Sequence, residues 1–421
     1  MKLHKSEFAR NVVTLMTGTS IAQAIPIAIS PILTRLYSPE EFGLFALYMA
    51  ISSIAAVLVT GRYELAIIVP KKDEDAINIV ALSIFLSLII SAIIFVIVLV
   101  FNQEISTLLN TAEISNWLYF IPVTTLIIGV YQSLNYWSNR KGHYKRMALS
   151  RVIQSGSTST VQLSAAPMAI ASAGLVVGQL VGQVLSTTQL GWLVYRDDNH
   201  FINKVKKTRM IALARKYVNF PKFLVLAHGF NIGSSQMPII LMGSFFGAGV
   251  AGFYMLTQRV LGAPTTIIAG AIGDVFRQEA SKAYTHYGSC KEIYLKAFKR
   301  LLIISFLPFM LAFFIAPDFF SLVFGENWRI SGVYAQVLMP MFFLRFITSP
   351  LSSMFIIAQA QKVDLAWQVG LFFLVVISFV IGQLFFDSYT SILLFSTSYC
   401  IMYLINGLIS YRLACGLKVY R

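Results

Sequence analysis

Five arginines, Arg35, Arg62, Arg151, Arg259 and Arg345, fall inside long apolar stretches of the chain. A guanidinium is planar, permanently charged and forked, and its fork matches the oxygens of a phosphate or carboxylate. Placing one at the centre of a bilayer costs about 2.5–3.5 kcal/mol on insertion scales. Near a helix end the side chain snorkels and most of that cost disappears. Arg35, just before the Ser38-Pro39 turn, and Arg151, near the start of its stretch, fit either an anchor of this kind or a functional group. Arg62 lies before Pro70, in the inner third of its stretch. Arg259 and Arg345 lie near mid-depth. Two readings stay open for them: a buried structural pair with a carbonyl or carboxylate, or a cationic lining to a water-filled cavity.

Acidic partners are few. Glu64 follows Arg62 by two positions, a spacing that sends the two side chains to different sides of a helix. Asp274 and Asp364 sit near inner ends of apolar stretches. Basic groups therefore outnumber acidic ones at depth, which suits an anionic substrate; a cation exporter needs the opposite balance. Glu64 and Asp274 are candidates to carry a coupling ion, H+ or Na+. Gln23, Gln132, Asn135, Gln154, Asn231, Gln236 and Gln258 are available to sugar hydroxyls. His228 reads as a packing residue or a proton carrier.

Nothing in the chain reads as catalytic. It has no glycine-rich phosphate loop, no HEXXH and no Ser/His/Asp set on one face, so no enzyme activity, cofactor or ATP hydrolysis is expected. Cys290, Cys400 and Cys415 have no paired spacing, which argues against a disulfide framework or a metal site.

The elements that carry these residues are membrane helices. Of 421 residues, 57% are hydrophobic and 12% charged, with a mean hydropathy of +0.72. Soluble domains carry roughly 25% charged residues, so lipid must cover most of this surface. About twelve stretches approach the roughly 20 apolar residues that span hydrocarbon. They centre near Pro26, Ile54, Ile89, Leu126, Ser159, Gly182, Gly233, Val260, Pro308, Phe343, Leu374 and Tyr403. Those around Ser159 and Gly233 are rich in Ser, Thr and Gly and are the weakest. Lys and Arg cluster in every second gap, which places both termini and the central loop in the cytoplasm. Arg329 is the clear exception, and with Trp328 it reads as an interface anchor. The net charge of +15 is spread over those gaps, a distribution that excludes a nucleic-acid partner.

The predicted class is thus an all-α polytopic membrane protein of two six-helix bundles. The expected division is 1–200, a basic linker 201–216, and 217–421. A weak ordered repeat supports it: PILTRLYSPEEFGLFALY from Pro31 parallels PIILMGSFFGAGVAGFYML from Pro238, and YFIP at Tyr119–Pro122 echoes VLMP at Val337–Pro340. Parallel halves of this kind are a transporter plan, with the substrate site between them. Pro26 and Pro31 in the first helix, and Gly233 and Pro238 in the seventh, mark bends that serve as gates or as static kinks. The run SRVIQSGSTSTVQLSAA reads as a helix-packing face ahead of a sugar-binding lining.

Three stretches, SPILTRLYSPEEFGLFALY, GRYELAIIVPKKDEDA and LVFGENWRISGVYAQVLMP, resemble the polysaccharide transporter family, the Wzx-type flippases, within the multidrug/oligosaccharidyl-lipid/polysaccharide exporter superfamily. The resemblance covers nearly the whole chain. It implies two six-helix bundles, alternating access, and a bacterial inner-membrane protein. It also implies a cargo of undecaprenyl-diphosphate-linked oligosaccharide, such as an O-antigen or capsule repeat, with polymerase or ligase machinery as possible partners. Related lipid II flippases place cavity arginines where Arg35, Arg62 and Arg259 stand; Arg345 rests on its depth alone. The rival readings are a MATE-like drug/cation antiporter, a lipid II-type flippase, and a non-transport scaffold or lipid-modifying enzyme.

Overall fold

A computed structural model describes residues 2–166 and 171–417; Lys418 and Arg421, two of the basic tail residues, lie outside the described residues. All secondary structure among the described residues is helical. The longer helices are α1 (Lys2–Leu36), α2 (Pro39–Leu58), α3 (Asp73–Leu108), α4 (Ile121–Arg140), α5 (Tyr144–Ala165), α6 (Ala171–Ile202) and α7 (Lys207–Lys216). They continue with α8 (Val225–Phe246), α9 (Ala248–Pro264), α10 (Gly270–Tyr287), α11 (Lys291–Phe324), α12 (Arg329–Thr348), α13 (Gln361–Phe385) and α14 (Ser388–Ala414).

Each of the twelve expected centres lies in a helix of its own. Among the described residues eight spans are long and apolar enough to cross a membrane, or nine with α4 and the short helical segment before it, bent by 46°. The other three helices, α5, α6 and α8, are more polar. Polar groups of α5 and α6 are used between helices. Ser155 donates to the Ala22 carbonyl (2.7 Å), Tyr37 to the Gln162 carbonyl (2.7 Å), and Gln154 to Gln183 (2.5 Å). A Cβ at Gly182 of α6 would stand 2.0 Å from the Thr158 hydroxyl and 2.7 Å from the Gln154 carbonyl of α5. This is the small-residue packing by which helices approach closely in lipid, and it is the packing face read from the sequence.

The chain forms two compact units, one of residues 1–236 with 247–249, the other of 237–246 with 250–421. The units thus divide at Gln236/Met237, inside α8, rather than within 201–216. The basic segment is docked on the first unit. Arg209 of α7 binds Asp75 (2.6 Å) and Glu74 (3.2 Å), Lys204 binds Glu74 (2.7 Å), and the Asn78 side chain bonds the backbone at Lys204 and Lys206. Arg146 joins Asp197 and Asp198 at 2.7 and 3.0 Å, and Trp137 donates to Asp198. Three of the Lys/Arg-rich gaps therefore meet at one end of this unit.

Local chemistry explains the joints. Ser38 caps α2: its hydroxyl accepts from the Glu41 amide (3.3 Å), the Glu41 carboxylate accepts from the Ser38 amide (2.7 Å), and Pro39 opens the first turn. That reciprocal pair accounts for Ser-Pro-Glu-Glu in the motif. The parallel stretch turns instead at Gly247, whose φ of +95° favours glycine. The second echo is looser, since Pro122 starts α4 whereas Pro340 lies within α12.

Prolines leave carbonyls unpaired one turn back. Pro26 of α1 orphans the Ala22 carbonyl, which the Ser155 hydroxyl of α5 takes. In the second unit Pro317 of α11 orphans the Phe313 carbonyl, and the Gln336 amide of α12 donates to it at 2.8 Å. Both solve the same problem, a bare backbone group where no water is at hand.

Candidate functional site

Two polar clusters, one in each unit, form around Arg62 with Glu64 and around Arg345.

In the first unit the chain leaves α2 at Leu58 and turns through Gly61 and Arg62, whose φ values are +57° and +60°. A short 3₁₀ stretch, Tyr63–Ile68, follows. Arg62 is therefore not on a regular helix, and the expectation that Arg62 and Glu64 diverge fails. Arg62 Nη1 meets Glu64 Oε1 at 3.1 Å. Glu64 is completely buried, and the Thr60 hydroxyl donates to its other oxygen. The Arg62 Nε is buried with no hydrogen-bond partner. Tyr136 and His228 lie within electrostatic range of the pair. Tyr63, next in sequence, packs with Trp137, Leu190 and Leu213 and donates to the Ala214 carbonyl (2.9 Å). The left-handed turn is thus clamped from the side that faces α7.

In the second unit Arg345 is partly buried on α12. Tyr254 of α9 and Tyr399 and Tyr403 of α14 act on its charge, and the Phe342 ring lies 5.9 Å away. The tyrosines belong to a larger aromatic set. Tyr399 and Tyr403 rings are 5.6 Å apart, Phe395 and Tyr399 4.7 Å, and Trp367 and Tyr403 5.9 Å. Gln258 donates to the Tyr254 hydroxyl. Among the described residues no carboxylate pairs with Arg345. Arg259, partly buried, follows Gln258 on α9.

The remaining residues stand apart. Arg35 is exposed in the last turn of α1. Arg151 donates to the Thr19 hydroxyl at 2.5 Å, tying α5 to α1 in place of snorkelling. Asp274 is exposed on α10 and lies 3.9 Å from Arg277. Pro26 and Pro31 lie within a continuous α1; Gly233 and Pro238 are buried in α8, on either side of the unit boundary. Trp328 corrects the sequence reading: it is buried against Phe253 (5.8 Å) and anchors no interface, while its neighbour Arg329 pairs with Asp318 at 2.7 Å. Gln132 Oε1 and Asn135 Oδ1 are buried without hydrogen-bond partners. Sequence reasoning missed the tyrosines, although Tyr399 and Tyr403 are four apart and so share a helix face.

The family described as polysaccharide biosynthesis protein matches residues 32–333. The chain belongs to this family. The lipopolysaccharide biosynthesis protein WzxC of Escherichia coli K12 is 22% identical over 83% of this chain and 70% of its own length. The teichuronic acid biosynthesis protein TuaB of Bacillus subtilis 168 is 21% identical over 69% of this chain, which spans 59% of that relative. Solved transporters described as belonging to the MOP superfamily share this chain's fold. An inward-facing multidrug resistance MATE transporter superposes with a TM-score of 0.73 at 15% identity, over 94% of this chain and 93% of that one. A Pyrococcus furiosus MOP transporter, described as having a binding pocket of reversed polarity, gives 0.63 at 15% identity, over 95% and 94%. This member of the polysaccharide biosynthesis family is therefore a multi-pass membrane protein with a MATE-like fold, and the family resemblance read from its motifs holds.

Proposed function

We propose that the chain is a flippase for polyprenyl-diphosphate-linked oligosaccharide, working by alternating access in a bacterial inner membrane. The basic ends of its helices face the cytoplasm, where the lipid-linked glycan is made, and the cargo leaves toward the periplasmic leaflet. Arg62, Arg259 and Arg345 bind the diphosphate and first sugars, with Arg35 at the outer end of its helix. Arg345 carries this reading: a permanent cation in the last turn of α12, lodged among tyrosines and with no carboxylate pair among the described residues. Phenol oxygens and a guanidinium together suit a sugar phosphate. A drug or cation antiporter calls for a carboxylate there instead. Bending at Pro26, Pro31, Gly233 and Pro238 assists the exchange of conformations. A proton or sodium gradient drives it through Glu64, the buried carboxylate; Asp274, solvent-exposed, is the second candidate. The glycan polymerase or ligase takes the product.

The test is genetic and direct. Deleting the gene should abolish surface polysaccharide and leave its lipid-linked repeat in the cytoplasmic leaflet. The wild-type gene should restore it, and Arg259→Ala and Arg345→Ala, inserted at normal levels, should not. Full restoration by both variants would overturn the arginine mechanism, and an unaltered glycan in the deletion strain would overturn the cargo.

A further inference from the structure

A cavity of about 570 Å³ opens at the basic end of the first unit, between the chain at 68–73 and the turn that joins α4 to α5. Pro70, Asp73, Asn139, Arg140, Lys141 and Tyr144 line it. Asp73 receives both Arg140 Nε and Lys141 Nζ at 2.9 Å, so two cations share one carboxylate and a positive charge remains. Arg140 Nη1 also donates to the Ile67 and Ile68 carbonyls, at 3.1 and 3.2 Å, which fixes the guanidinium plane. Its Nη2 makes no hydrogen bond among the described residues and is not buried, so it is left open to a ligand. The Asn139 amide and Tyr144 hydroxyl, on the cavity wall, likewise make no side-chain bond among the described residues. Lys71, Lys72 and Lys145, adjacent in sequence to the lining residues Pro70, Asp73 and Tyr144, are exposed.

Three uncommitted donors, one of them the Nη2 of an immobilised guanidinium, form an anion receptor, and phosphate is the oxyanion whose spread of oxygens fits them. The neighbouring surface is apolar: Ile68 and Val69 are 48% and 55% exposed. Both features together fit an amphiphile whose charged head enters the cavity while its acyl chains lie along those residues. We propose that this cavity binds the phosphate headgroup of an anionic phospholipid, at a site separate from the arginines assigned to cargo. Basic surfaces of this kind gain from anionic leaflets, and occupancy would brace the joint at 67–73, next to Glu74 and Asp75, the carboxylates that hold Arg209 of α7. The site stands whether or not the chain moves a lipid-linked glycan.

The test uses the purified full-length protein in detergent and follows its melting temperature. Phosphatidylglycerol should raise it by several degrees more than phosphatidylcholine does. The double variant Asn139→Ala/Tyr144→Phe, which leaves the Asp73 pairs intact, should lose about half or more of that increment. Lys71→Gln/Lys72→Gln, wholly on the surface, should weaken it too and serves if the first variant folds poorly. Equal stabilisation of the wild type and both variants by phosphatidylglycerol would overturn the site. So would equal effects of the two lipids on the wild type. Reproduction of the full increment by inorganic phosphate alone would overturn the lipid as its source.

Discussion

Arg62 and Glu64 meet at 3.1 Å, although they are only two residues apart, because Gly61 and Arg62 both adopt left-handed backbone. For arginine that conformation costs on the order of 1–3 kcal/mol, and the buried ion pair with the Thr60 hydroxyl holds it in place. Removing one partner of a buried pair leaves an uncompensated charge. Glu64→Gln should therefore destabilise the protein by about 3 kcal/mol, read as a lower melting temperature in detergent. The double variant Arg62→Gln/Glu64→Gln should recover part of the loss. Additive losses would mean the pair is not coupled.

Arg345 should respond to geometry as well as charge. Arg345→Lys keeps the cation and loses the planar fork, so transport should fall by roughly tenfold or more with expression intact. Surface polysaccharide per unit of inserted protein is the measurement. Transport equal to wild type would show that charge alone suffices.

The proline-orphaned carbonyl at Ala22 supplies a third test. Ser155→Ala removes the hydroxyl that satisfies it and should cost about 1–2 kcal/mol. Pairing the change with Pro26→Ala, which returns a backbone donor, should cancel most of that cost. Thermal unfolding of both variants checks it.

Close packing between α5 and α6 is equally exposed to test. Gly182→Val would drive a side chain into the Thr158 hydroxyl, 2.0 Å from the added Cβ. Backbone lies behind it, so relief is small and the loss should be about 3 kcal/mol or more. Gly156, with open space around its Cβ position, should accept alanine with little change and is the control.

Capping gives the fifth prediction. Ser38→Ala should cost about 1 kcal/mol, seen as a modest drop in melting temperature. Ser38→Asp, which preserves an oxygen acceptor, should restore most of it.

How far these features were legible in the sequence depends on the range of the contacts that make them. Helices were readable because apolar runs bounded by Pro, Gly and Lys/Arg are local signals, and each expected centre lies in a helix. The packing face of α5 was readable for the same reason. The Arg62–Glu64 pair was not, because helical spacing was assumed past the end of α2. The signal was there in Thr60-Gly61 after an apolar run, a common helix stop. Trp328 was misplaced because a tryptophan at a boundary usually sits at the interface, whereas here Phe253 covers it. The tyrosines at Arg345 come from two other helices, distant in sequence, and no short-range pattern unites them.

The phenols around Arg345 have a consequence of their own. Being neutral, they can steady a guanidinium without cancelling it, so an incoming anion there has no carboxylate among the described residues to evict. At Arg62 the vacancy is already taken, and any phosphate must first outbid a carboxylate. The two arginines therefore differ in readiness: the second unit's is primed to receive, while the first unit's engages only when its own turn gives way.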